Sequence, residues 1–199
     1  NAGPRPFFRS CLEVLEKDSI DAMTVAFRIA PMINAVSRMG NDASQLIDLL
    51  LETDPVKLRS GIIALDEINE VRKEETRREA ELAKSLVGDA PAGAIVFNHE
   101  SLQEGIVGIV AGQLKEEYSL PAVVLAKTED GNWKGSARSP EGFMLKEALD
   151  QCAEYLLSYG GHAKAAGLTV RAADLEKFRE KFTQLAVEAA GDKGFETAV

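Results

Sequence analysis

The chain has 199 residues, a formal net charge of −9, 45% hydrophobic residues and only 6% aromatic ones. That length can bury a core in one or two small domains, built mainly from aliphatic side chains. The acidic balance excludes a free-standing nucleic-acid binder that works through bulk positive charge, so any such contact must be local.

In chain order, Asn1-Ala2-Gly3 reads as the remnant of a cleaved expression tag, and we expect an engineered fragment. Residues 11–30 carry Leu12, Leu15, Ile20, Met23, Val25, Phe27 and Ile29 at helical spacing, with Pro31 ending or kinking the run. Asn41 and Asp42 look like a cap before a second helix with Leu46, Ile47, Leu49 and Leu50. Asp54-Pro55 starts a long helix that Gly88 stops. Its first half has the apolar stripe Leu58, Ile62, Leu65 and Ile68, while Arg72 to Glu81 is almost wholly charged. A helix polar on all sides usually spans solvent between packed bodies, which predicts a domain boundary along it.

After Pro91 the pattern becomes α/β. Strands are predicted at Ala94–Phe97, Pro121–Leu125, Trp133–Ser136 and Leu168–Val170, and helices at Gln103–Tyr118, Met144–Tyr155 and Ala173–Ala189. Glu129-Asp130-Gly131-Asn132 is a turn, and the strand after it is antiparallel to its neighbour if that turn closes a hairpin. Cys11 and Cys152 match no zinc spacing and read as reduced thiols of a cytosolic protein. No apolar run approaches the ~18 residues of a membrane span, and no secretion signal opens the chain.

Four clusters carry chemistry. Arg28, Asn34 and Arg38 are embedded in an apolar stretch around Pro31, which suits an anion, with a structural ion pair to a nearby carboxylate as the favoured reading on composition alone. Gly105, Gly108 and Gly112 give one helix a smooth face for close packing or close ligand approach. Ser136 and Arg138 fall on one side of an extended backbone, where a hydroxyl beside a guanidinium fork suits phosphate, an exposed polar loop being the equal alternative. In Gly160-Gly161-His162 two glycines form a tight turn ahead of a histidine able to donate to phosphate or supply a proton. No Asp/His-rich metal motif, catalytic triad order or Walker loop accompanies them. The residues alone predict phosphate grip without a catalytic engine.

R-I-A-P-x-I-N-A-x-x-R from Arg28 to Arg38, G-I-V-G-I-V-A from Gly105, K-G-S-A-R-S from Lys134 and G-G-H-x-x-A-A-G from Gly160 resemble, in order and spacing, the RecJ family of single-stranded-DNA exonucleases, DHH phosphoesterases. The resemblance runs from residue 5 to about 188. It implies that residues 1–53 are the helical tail of a DHH domain, 54–88 a connecting helix and 89–199 a DHH-associated substrate-binding domain with a small mixed sheet covered by helices. It implies that Arg38, Ser136 and Arg138 hold a 5′-terminal phosphate, with Gly160 and Gly161 in the phosphate site. His162 would face the scissile phosphate, and Arg28 and Asn34 would support the interdomain cleft. It further implies a 5′→3′ exonuclease of DNA repair and recombination, cytoplasmic, releasing nucleoside 5′-monophosphates. Its Mn²⁺ or Mg²⁺ would be held by a DHH domain lying before residue 1, so the chain alone is expected to hold no metal and to be inactive. Expected partners are single-stranded DNA with a 5′ phosphate and that DHH domain in cis, with no membrane. The other readings are a phosphodiesterase for short RNA on the same scaffold and a non-catalytic protein-interaction module. This chain departs from the family at Met32, Val36-Ser37, Leu102-Gln103 and Gly112-Gln113; the last replaces a usual Ser-Arg and removes one expected contact with the strand.

Overall fold

The computed structural model describes residues 5–88, 91–191 and 194–195. The suggested tag residues Asn1-Ala2-Gly3 lie outside them. The chain divides into two compact units, Asn1–Glu75 and Thr76–Val199.

The N-terminal unit is helical: α1 (Pro6–Val14), the single turn α2 (Ala22–Thr24), a π-helical turn (Val25–Ile29), α3 (Ala30–Arg38), α4 (Ser44–Leu51) and the first part of α5 (Pro55–Val87). Local chemistry sets its boundaries. The Asp42 carboxylate accepts from the Ser44 amide at 2.9 Å ahead of α4, and Asp54 accepts from the Val56 amide at 2.8 Å at the start of α5. Phe7, Cys11, Ile29, Met32, Val36, Leu58, Ile62 and Leu65 form its core.

Two expectations change here. The apolar run 11–30 is broken: α1 ends at Val14, Glu16 takes φ +52°, and Met23 and Phe27 are 63% and 67% exposed. Pro31 does not end a helix. The Ala30 amide donates to Val25, five residues back, and this wide turn leaves the proline in the first turn of α3, where its missing N–H costs nothing. Arg28, Asn34 and Arg38 are exposed, not embedded. The inward positions are Ile29, Met32 and Val36, at steps of three and four, so the polar residues fall outside that stripe.

The second unit contains the end of α5 and a five-stranded mixed sheet of order β1-β2-β3-β5-β4. Strand β1 (Ile95–His99) leads through α6 (Val107–Tyr118) to the parallel β2 (Ala122–Lys127). A hairpin at Thr128–Asn132, with Gly131 at φ +83°, carries the chain into β3 (Trp133–Arg138), antiparallel to β2 as expected. Then come α7 (Leu145–Gln151), β4 (Leu156–Gly161), β5 (Ala165–Val170) and α8 (Leu175–Ala190). On one side Val96, Val123, Leu125, Ala137 and Leu168 pack with Phe178 and Phe182 of α8. On the other Ile95, Phe97, Ala122 and Val124 meet Val110, Ala111 and Leu114 of α6. Strands β1 and β2 are buried on both faces, which is why they read as continuous apolar runs.

Three features differ from expectation. Helix α6 begins at Val107, after turns from Glu100 to Gly105. Gly160 and Gly161 do not form a tight turn. They end β4, an unexpected edge strand, opposite Gly167 and Ala166. The charged stretch of α5 is not solvated all round: Thr76, Glu79, Ala80 and Ala83 are buried, and the alanines pack beside α6.

Candidate functional site

Strand β3 presents two chemically different faces. Ala137 points into the α8 side of the core. By alternation Lys134, Ser136 and Arg138 face the other way, toward α6. Their register partners on β5 are Thr169, Gly167 and Ala165, so the surface beside them is small or hydroxylic. Along β3, β5 and β4 this face leaves Gly167, Ser158 and Gly160 exposed.

Helix α6 packs over β2 and β3 with Gly108 in its first turn. A Cβ at Gly108 would stand 3.0 Å from Nη2 of Arg138 and 3.1 Å from Oγ of Ser136. The bare glycine therefore lets hydroxyl and guanidinium share one spot under the start of the helix. Nη1 of Arg138 donates to the Ala137 carbonyl at 2.8 Å, which fixes the plane of the fork. Gly135 is required for a separate reason, since a Cβ there would lie 1.9 Å from the Val124 carbonyl oxygen. An open groove of about 740 Å³ runs from Arg138 along Gly108, Ile109 and Gly112, with Lys84 and Lys115 also on its walls.

The Gly160-Gly161-His162 cluster lies across β5 from Arg138. Arg138 pairs with Ala165, and the His162 amide donates to the Ala165 carbonyl at 2.9 Å. Two strand spacings, about 10 Å, thus separate the two backbones. Gly161 adopts φ +150°, and a Cβ there would be 2.3 Å from that same carbonyl oxygen. Nδ1 of the exposed His162 accepts from the Lys164 amide at 3.3 Å. In the neutral ring this puts the proton on Nε2, which is then the donor.

Arg28, Asn34 and Arg38 belong to the N-terminal unit and sit on its exposed helical faces. Two residues there and beyond went unforeseen, both inside the charged run of α5. Burial, reinforced by the nearby charge of Arg38, holds the Arg72 guanidinium below its ordinary value. Its Nε donates to the buried Asn69 side chain at 3.2 Å. Glu79, buried, accepts from the Gln103 amide at 2.8 Å and so anchors the turn that leads to Gly108. Their signal in the sequence is only their place in a helix whose polar residues outnumber its apolar ones.

Among the described residues no group of three His, Cys, Asp or Glu side chains is placed to hold a metal. The two histidines stand at the ends of β1 and β4, opposite edges of the sheet. These residues do not fit a metal site on their own. No helix is long and apolar enough to cross a membrane among the described residues.

The departures also have places. Met32 and Val36 are core residues, and Leu102 is buried. Gly112 and Gln113 lie on the groove, with open space around Gly112.

Residues 91–188 match the DHHA1 domain. The chain is 32% identical over 196 residues to the single-stranded-DNA-specific exonuclease RecJ of Salmonella typhimurium, covering 92% of this chain and 34% of that protein. The protein of the same name from Bacillus subtilis is 34% identical over 175 residues, 86% of this chain and 22% of that one. The crystal structure of RecJ from Thermus thermophilus in complex with Mn²⁺ superimposes with a TM-score of 0.82 at 30% identity, covering 92% of this chain and 27% of that chain. The chain thus spans about a third or less of the length of these relatives. Residues 91–188 are a DHHA1 domain, and most of the chain is similar to RecJ proteins in sequence and fold.

Proposed function

We propose that this chain is the substrate-gripping part of a single-strand-specific 5′→3′ DNA exonuclease that releases nucleoside 5′-monophosphates in DNA repair and recombination. The observation that carries the reading is the meeting of Ser136 and Arg138 under the bare backbone of Gly108. A hydroxyl and a guanidinium fork with no Cβ between them and the helix suit the several oxygens of a terminal phosphate.

In this reading Ser136 and Arg138 bind the 5′ phosphate, with Gly160 and Gly161 keeping the neighbouring face low. His162 donates from Nε2 to the scissile phosphate. In the N-terminal unit Arg28, Asn34 and Arg38 are the proposed contacts. The domain reading is residues 1–53 as the tail of a DHH domain, 54–88 as connecting helix and 89–199 as the substrate-binding domain. The solved relatives' titles name Mg²⁺ and Mn²⁺, and such ions would be held by a DHH domain in cis. Alone, the chain is inert toward phosphodiesters. A cytoplasmic location follows from the same reading.

Fluorescence anisotropy with a short single-stranded DNA, with and without a 5′ phosphate at low salt, tests it. Tighter binding of the phosphorylated strand is expected. Equal binding of both would overturn the assignment of the terminal-phosphate pocket to β3.

A further inference from the structure

Among the described residues, each lysine that borders the candidate site carries its own carboxylate. On the walls of the groove that holds Arg138, Lys84 pairs with Glu117 and Lys115 with Glu116. Lys134, two residues before Ser136, lies 2.8 Å from Glu104. Lys164, whose amide donates to His162, pairs with Glu141. A smaller adjoining cavity of about 160 Å³ is lined by Lys115, Glu116, Ser139, Glu141 and Lys164, so two of these pairs share one wall. Lys115 and Glu116 are neighbours on α6, but the other three pairs are not helix-surface neighbours. Glu104–Lys134 and Glu117–Lys84 each join different elements, and Glu141–Lys164 joins two loops.

The physical consequence concerns internal phosphates. A free lysine that meets a DNA phosphate releases condensed counterions, which drives most non-specific binding. A lysine already paired with glutamate must give up that partner, and the carboxylate left beside the strand repels its phosphates. Both reduce what the contact with an internal phosphate contributes. A terminal phosphate differs, because it carries about two charges and meets the hydroxyl-and-guanidinium fork of Ser136 and Arg138.

We propose that Glu104, Glu116, Glu117 and Glu141 act as specificity determinants: they mask the lysines around the site, so that a single strand is recognised by its 5′-terminal phosphate rather than along its backbone. This inference rests on the terminal-phosphate reading of Ser136 and Arg138.

The test is a salt titration of single-strand binding by the 199-residue chain and a variant carrying Glu104→Gln, Glu116→Gln, Glu117→Gln and Glu141→Gln. A control carries Glu154→Gln, Glu176→Gln, Glu180→Gln and Glu188→Gln. It makes the same change in net charge at exposed positions on or near α8, which packs on the opposite face of the sheet. The masked-site variant is expected to steepen the slope of log K against log salt by roughly 0.7 for each lysine released, about 3 in all. Its preference for the phosphorylated over the hydroxyl-ended strand is expected to fall at least threefold, while the control matches the parent. An unchanged slope, or an equal steepening in the control, overturns the masking. Arg138→Ala in the same titration reports separately on the site: if it keeps the full phosphate preference, the terminal-phosphate reading itself fails.

Discussion

Gly108 and Arg138 are matched to each other: the missing Cβ of the one leaves room for Nη2 of the other, which a methyl group would approach to 3.0 Å. The distance lies at the tight limit of ordinary packing, and the neighbour is the end of a flexible side chain. Gly108→Ala is therefore expected to leave the fold intact and displace the fork by a few tenths of an ångström. Affinity for a 5′-phosphorylated strand should fall about three- to tenfold, roughly 0.7–1.4 kcal/mol, with an unchanged thermal midpoint. A lowered midpoint with unchanged binding would show that Gly108 serves packing alone.

Gln113 stands on the groove, exposed and uncharged. Open space surrounds its neighbour Gly112. Gln113→Arg is expected to tighten binding several-fold and to add roughly 0.7 to the salt slope for a single strand. No change in either quantity would place the strand's path away from α6.

Gly161 tests the backbone beneath His162. With φ +150° and a Cβ that would fall 2.3 Å from the Ala165 carbonyl oxygen, Gly161→Ala should destabilise the protein by about 1–3 kcal/mol in urea unfolding. Nothing lies within 4 Å of a Cβ at Gly160, so Gly160→Ala should cost far less. Equal costs at the two positions would contradict the close approach of β4 and β5.

Burial raises the Cys11 and Cys152 thiols from 9.0 to about 11. At pH 8 both should resist iodoacetamide in the native protein and react once it is unfolded in urea. Because the folded values lie above the unfolded one, the stabilising contribution is complete below pH 9 and is lost as the pH rises toward 11. Rapid labelling of the native protein at pH 8 would contradict the burial.

Much of this structure is legible where local chemistry decides it. Asp54-Pro55 and Gly88 bracket α5, and the hairpin before β3 follows from its turn residues. The apolar runs of β1 and β2 are strands because both faces of each are covered. Strand β4 was hidden: Leu156 is buried, Leu157 is exposed, and a register shift between Leu156 and Ser158 destroys the alternation that marks a strand. The surroundings of Arg28 and Arg38 misled for a related reason, since neighbours in sequence are not neighbours on a helix. Within the site, spacing alone sets Ser136 and Arg138 on one face of β3. That Gly108 covers them depends on how α6 docks on the sheet, which no local pattern records. Glu79 is buried for the same kind of reason, its partner being the Gln103 amide 24 residues away.

The pairing of Arg138 with a terminal phosphate is the centre of this account, and a double-mutant cycle measures it directly. Binding of the parent and of Arg138→Ala is measured with the same single strand ending in a 5′ phosphate or a 5′ hydroxyl. The account predicts a coupling of roughly 1.5–3 kcal/mol, so that the variant loses most of the preference for the phosphorylated strand. A coupling near zero, with the preference intact in Arg138→Ala, would contradict it.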